Sequence, residues 1–454
     1  MSYPANQPLA QRLARARYEQ SDPAKSRSGD NPSASSGSVM EPTHDAGSVL
    51  SAAGTTYSYD SGRDIARYFR EINGRRFNSQ AATYLLPADE EEFWRLDRQH
   101  AAFLVGMGDL YPCPDLVERI LEPDPGRQKR LLDLGCGTAV WALAMARRFP
   151  EASVIALDIA PTPIPVEGVP PNIQFELDDV NFGLDQFHGQ MDIVHMRCLG
   201  AGLPKYADGI TYAARCLRPG GLLLVVDIDL EFCAEDIVSG QKLWTPEQPD
   251  GSWLQRYFYE FRWANALNGT DIFEAEEMLD KGIFDHELLE ACGAGSVFLP
   301  IGPWANGLAT NADDAQRLQF GGILARQSLQ HALPAFETLM RKTGITDEFL
   351  KESTSKANAG ESKDNPSRLV PTKPDLELDT LSVHSWLRLR MLWGARKSDD
   401  PEAAPAPRTQ WQPHPQIHIY HTAEESYAAR QKRQETMGAK PTPQCLLNDE
   451  DEGK

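Results

Sequence analysis

Leu131-Leu132-Asp133-Leu134-Gly135-Cys136-Gly137-Thr138-Ala139 reads as an apolar strand, an acid, a small-residue turn and the start of a helix. Glycine has no Cβ, so Gly135 and Gly137 let backbone come close to a bound nucleoside. The helix that follows, over 138–149, turns its free N–H groups back toward the same place. Two glycines alone say little. The reading gains from Asp133, two positions before the first glycine, and from a second acid, Asp158, closing the next apolar run. The turn Leu217-Arg218-Pro219-Gly220-Gly221 adds a third marker. A nicotinamide-binding turn would need G-x-G-x-x-G, and its third glycine position is Val140 here. Asp133 would also repel a pyrophosphate.

Outward from this stretch, apolar runs at 130–134, 153–158, 173–177, 191–196 and 222–229 alternate with helical patterns, the clearest at 139–148 and 209–217. Such alternation predicts a parallel sheet with right-handed crossovers, and ligands then sit beyond the carboxyl ends of the strands. Helical spacing over 64–70 and 89–107 places a helical layer ahead of the sheet, within 57–129. The α/β core spans 130–232. A cap or acceptor region follows over 233–350, with aromatic residues crowded between 244 and 263, a sixth strand at 297–301 and helices over 312–350. Residues 351–378 read as a polar disordered insertion, 379–398 as the last strand, and 1–56 and 399–454 as disordered tails.

A length of 454 residues allows a sizeable core, while a net charge of −20 argues against nucleic acid or an anionic membrane as partner. Seven cysteines without C-x-x-C spacing point to a reducing, cytoplasmic or nuclear setting. Arg12, Arg15 and Arg17 ahead of Glu19 leave a mitochondrial presequence as the alternative to a plain polar tail. Histidines such as His195, His286 and His384 lack ligand spacing, so no metal is expected. No apolar run approaches the length of a membrane span.

The acid, the glycine turn, Asp158 and the Arg-Pro-Gly-Gly turn resemble the class I S-adenosylmethionine (SAM)-dependent methyltransferases over about 130–229. Further carriers are Tyr68-Phe69-Arg70-Glu71-Ile72-Asn73-Gly74-Arg75, Val169-Pro170-Pro171-Asn172-Ile173-Gln174-Phe175 and Met191-Asp192-Ile193-Val194-His195-Met196-Arg197. With Pro300-Ile301-Gly302-Pro303-Trp304 and Trp393-Gly394-Ala395-Arg396-Lys397, they resemble the fungal LaeA-like, secondary-metabolism-regulator group over about 64–398. The resemblance implies a Rossmann-like seven-strand, mostly parallel sheet with helices on both faces. The last strand would be antiparallel and inserted beside the sixth.

For the site, the resemblance implies that Gly135 and Gly137 admit the amino-acid part of SAM and that Asp133 takes its ammonium. Asp158 would bind the ribose hydroxyls, Ile159 would pack on adenine, and Asp179, with Asp178 in reserve, would meet the adenine amine. His195 and Arg197 end the fourth strand, facing the expected methyl, and are the candidates for acid–base help. Trp253, Tyr257 and Trp263 are candidates for the acceptor wall. The expected activity is methyl transfer from SAM to an oxygen or nitrogen, with a small-molecule acceptor. The alternative is a SAM-binding regulatory subunit that recruits protein partners through its tails.

Overall fold

The computed structural model describes residues 65–164, 167–354, 377–379, 381–414 and 416–447. The tail expected over 1–56 and most of the insertion expected over 351–378 lie outside the described residues. After one helical turn the chain forms a hairpin, β1 (Phe69–Ile72) against β2 (Arg75–Asn78), where helical spacing predicts a helix over 64–70. Its turn is Asn73-Gly74 with φ of 52° and 75°. Positive φ at both central residues gives a two-residue turn whose twist matches the right-handed twist of the flanking strands, and this outweighs the helical spacing. Asp89 then ties the hairpin to α1 (Glu90–Met107): its carboxylate caps the Glu92 N–H at 3.1 Å and takes Arg75 through two bonds of 2.7 and 2.9 Å.

Past α2 (Pro114–Leu121), the strands β3 (Arg130–Leu134), β4 (Ser153–Asp158) and β5 (Ile173–Leu177) run parallel. On the other side of β3 the sheet continues, also parallel, through β6 (Met191–Arg197) and β7 (Leu217–Ile228). The crossovers α3 (Val140–Arg148) and α4 (Tyr206–Cys216) stand between these strands in the chain. Strand order therefore reverses between β3 and β6, which opens a crevice at their carboxyl ends. Leu131, Leu132, Ile155, Val194 and Leu223 are fully buried, as expected for strands covered on both faces.

The region after the core supplies α5 (Trp253–Leu267), α6 (Ile272–Lys281), β8 (Leu289–Pro300), α7 (Ala312–Lys342) and α8 (Asp347–Thr354). The long α7 packs along α1, closing the crevice from above. β9 (Trp386–Arg396) is antiparallel and lies between β7 and β8, as the resemblance implies. Among the described residues the sheet has an eighth strand, β10 (Ile417–Tyr420), antiparallel on the outer edge of β8. It is followed by α9 (Ala423–Thr436), which packs against α6. The expectation of a disordered tail over 399–454 is thus corrected. This segment is poor in apolar residues, but it is held by main-chain pairing and by Arg430 and Arg433, which reach the buried Asp280 at 2.7 and 3.4 Å. No helix among the described residues is long and apolar enough to cross a membrane.

Candidate active site

Both glycines of the turn after β3 have left-handed backbone, Gly135 at φ 66° and Gly137 at φ 56°. A Cβ on Gly135 would lie 2.3 Å from Leu199 Cδ2, and one on Gly137 3.2 Å from Leu96 Cδ1. Ala139, at φ 55°, leads into α3 without a side-chain cap, so the first N–H groups of the helix are not spent on one. The turn forms one wall of a cavity with about 960 Å³ of atom-free space. Asp158 and Ile159 beyond β4, Asp178 and Asp179 beyond β5, and Arg197 at the end of β6 form the others, with Leu96 and Gln99 of α1 above. The sequence therefore placed these groups around one space.

Asp158 accepts the Gly137 N–H at 2.7 Å through Oδ2 and the Ala160 N–H at 3.0 Å through Oδ1. Burial raises its pKa above the usual carboxylate value, against the pull of those two donors. Asp178 spends one oxygen on the Asp179 N–H and the other on Gln186 Nε2 at 2.9 Å. Asp179 accepts the Asn181 N–H and Nδ2 through Oδ1 at 2.9 and 2.8 Å and lines the cavity.

Asp133 is 2% exposed and does not line the cavity, which corrects the expectation that it contacts the ammonium directly. Strand register sets it directly opposite His195, whose Nδ1 is 2.8 Å from Asp133 Oδ1. Its Oδ2 is buried and has no partner among the described residues. Burial keeps His195 neutral, overriding the upward pull of Asp133, so Nδ1–H donates to the carboxylate. The ring also stacks on Trp141, with centroids 3.8 Å apart. His195 is 1% exposed and does not line the cavity, which corrects the expectation that it faces the reacting methyl. It orients Asp133 instead. Arg197 does reach the wall, donating to His100 Nδ1 at 2.8 Å. Burial first, then the Arg197 charge, lower the His100 pKa to about 3, so His100 accepts as a neutral ring.

A glycine turn, an acid at the end of the adjacent strand and an unpartnered buried carboxylate oxygen fit the family model that residues 103–277 match, described as a methyltransferase domain. Over these residues the chain is similar to methyltransferase domains. The secondary metabolism regulator laeA of Coprinopsis cinerea is 45% identical over 161 residues, 35% of this chain and 39% of that protein. Methyltransferase str2 of Strobilurus tenacellus is 30% identical over 152 residues, 34% of this chain and 51% of its own. The protein-methionine methyltransferase laeA of Emericella nidulans is 27% identical over 257 residues, covering 55% of this chain and 60% of that one. The chain thus resembles the LaeA-like group, and spans 39% to 60% of the length of these relatives.

A second chamber, with about 950 Å³ of atom-free space, adjoins the first cavity. Tyr84, Leu96, Gln99, Gly137, Asp158 and Cys198 line both, so the two spaces share a wall. Phe261 of α5 and Phe336 of α7 stack at 4.0 Å and 15° on its apolar side. The aromatic residues expected there, Trp253, Tyr257 and Trp263, line neither space. Trp253 stacks on Trp244 at 4.1 Å, Tyr257 O–H donates to the Leu333 carbonyl at 2.5 Å, and Trp263 meets the edge of Phe273. Phe261 lies in the aromatic-rich stretch 244–263 read from the sequence, but aromatic size drew attention to other residues of that stretch. Sequence reasoning also missed Asp227, which lines this chamber together with Glu92, Arg95 and Gln99. Burial pushes the thiols of Cys136 and Cys198 well up, so neither is a ready nucleophile.

Proposed function

We propose that the chain is a SAM-dependent methyltransferase that transfers a methyl group to an oxygen or nitrogen of a small molecule. The observation that carries it is the convergence, in one cavity, of the left-handed glycine turn, Asp158, Asp179 and Arg197. Asp158 keeps lone pairs for two ribose hydroxyls while two N–H groups fix its plane. Asp179 takes the adenine amine and Ile159 the adenine face. The Arg197 guanidinium receives the carboxylate, and Asp133, buried and off the cavity wall, meets the ammonium only through a water. Bound SAM supplies a methyl already activated by the sulfonium charge. The chain then has to align and shield, and α1 and α7 close the space above the strand ends.

Calorimetric titration with S-adenosylhomocysteine tests this reading. Micromolar binding is expected, weakened about 100-fold by Asp158→Ala through loss of two charge-assisted hydrogen bonds. A folded sample that does not bind overturns it. The likeness to the Coprinopsis cinerea secondary metabolism regulator favours a second reading, a SAM-binding subunit that acts through protein partners. Deleting 1–56 separates the two, because that segment is outside the described core whereas 416–447 is part of it. Retained turnover without 1–56 supports the enzyme; a protein that never turns over yet loses partner capture supports the subunit.

A further inference from the structure

The second chamber has the composition of an acceptor site, and its chemistry names the acceptor more closely than the fold does. The apolar side is a flat wall, Phe261 stacked on Phe336, with Phe93 nearby. At the other side stands Asp227, from the end of β7, 6% exposed. Its Oδ2 accepts the Gly200 N–H and the Tyr206 O–H, both at 3.1 Å, and its Oδ1 accepts the Ile228 N–H at 2.8 Å. These bonds fix the carboxylate plane and leave acceptor capacity on Oδ1. Glu92, Arg95 and Asp158 line the chamber too, but Glu92 is paired with Arg95 and Asp158 is tied to two N–H groups, so Asp227 is the carboxylate there that can take a proton donor of the ligand. Gly200 and Cys198 line the chamber beside Asp227, and a Cβ on Gly200 would sit 3.4 Å from Oδ2.

We propose that this chamber binds a planar, apolar phenol and that Asp227 removes its proton during methyl transfer. The inference rests on the methyltransferase reading above. The phenol oxygen forms a new bond to the methyl carbon as the carbon–sulfur bond breaks, its electron pair returning to sulfur, and the hydroxyl proton passes to Asp227 Oδ1. A thioether has no proton to give and would leave the remaining capacity of Asp227 Oδ1 unused. An amine is already nucleophilic and gains little from a base. A phenol uses both features of the chamber, the flat wall and the acid.

The pH behaviour follows from the groups around Asp227. Burial raises its pKa to about 6, against the downward pull of the Ile228 N–H, Tyr206 and Gly200. Tyr206 from α4 and Cys198 beyond β6 are both pushed well up. Arg95 of α1 is paired with Glu92 across the chamber, and burial lowers Arg390, the cross-strand neighbour on β9, only to about 10. Asp158, in the shared wall, is tied to two N–H groups. Asp227 is therefore the group expected to titrate near pH 6, and the base form is the one above it.

The test uses full-length protein with SAM and three acceptors on one ring: 1-naphthol, 1-naphthylamine and 1-(methylthio)naphthalene. Transfer to the naphthol is expected to be fastest, rising with pH through a single ionisation near 6. Asp227→Asn should slow it about 100-fold and abolish that limb, with S-adenosylhomocysteine binding unchanged as the check on folding. Tyr206→Phe removes a bond to the ionised form and should move the limb to higher pH. Faster transfer to the amine or thioether, no transfer to any of the three, or a rate indifferent to Asp227→Asn overturns the inference. If S-adenosylhomocysteine itself fails to bind, the methyltransferase reading falls with it, so the two failures are told apart.

Discussion

Gly135 shows how much one missing methyl group decides. Its φ of 66° costs an alanine about 1–2 kcal/mol, and the added Cβ would come within 2.3 Å of Leu199. Leu199 itself lines the cofactor cavity, so it can yield only by moving into the ligand's space or away from its own packing. Gly135→Ala should therefore lower stability by about 1–2 kcal/mol in urea denaturation and weaken S-adenosylhomocysteine further than the stability loss alone explains. An unchanged midpoint with unchanged affinity would show that the turn relaxes freely. Gly137→Ala meets Leu96 at the milder distance of 3.2 Å, so its effect should come from the backbone alone. His195 carries the opposite lesson. An imidazole at a strand end is ambiguous as sequence, and what settled its role was register, which set it beside Asp133 and under Trp141. Register is a relation between strands distant in the chain, and a single sequence does not display it.

Elements were legible where apolar period and turn chemistry agreed. The strands at 130–134, 153–158 and 173–177 stand where the apolar runs place them, and β9 enters the sheet where the resemblance puts it. The hairpin at Asn73-Gly74 and the segment 416–447 were missed because each rests on something other than apolar spacing. For α9 the available signal was Thr422 with Glu425. The Thr422 hydroxyl accepts the Glu425 N–H at 3.2 Å, and Glu425 caps the His421 N–H at 2.8 Å. What holds α9 down is Asp280, 3% exposed, which accepts Arg388 at 3.0 Å and Arg430 at 2.7 Å and is also met by Arg390 and Arg433. Burial without these partners would be untenable for either sign of charge. Asp280→Asn should cost about 3–5 kcal/mol, because it leaves buried arginines uncompensated. A chain ended at residue 398 would lose Arg430 and Arg433 and bare the edge of β8, so it should melt lower and aggregate. A thermal scan with light scattering checks both. A truncated chain that melts like the full one would mean that β10 and α9 are ornaments on the core.

At the scale of the whole molecule, buried ionisable groups of opposite tendency set the response to acid. Burial lowers the pKa of His100, His195, His286, His414 and His418, so below about 6.5 the unfolded chain takes up protons that the native state refuses. These groups remove stability as pH falls. Burial raises Asp158, Asp227 and Glu276, so between about 4 and their native values the native state binds the extra protons. These groups return stability over much of the same interval. The two sets oppose each other between about pH 6.5 and 4. Below that, the carboxylates held down by arginines have no counterweight. Burial pushes Asp192, Asp229 and Glu231 up, but Arg127 and Arg218, then Arg388, then Arg262 overrule it, and Glu231 is left at about 2. Their stabilisation is present above the unfolded value and is lost as pH falls through the native one. The expected profile of urea midpoint is a shallow course from pH 7 to 5 and a steep fall below about pH 4. A steady decline beginning at pH 6.5 would show that the histidines prevail and that the raised carboxylates near the proposed acceptor chamber are ordinary acids. Because Asp227 is one of those carboxylates, Asp227→Asn should steepen the course between pH 6 and 4 by removing one of the groups that gains a proton on folding.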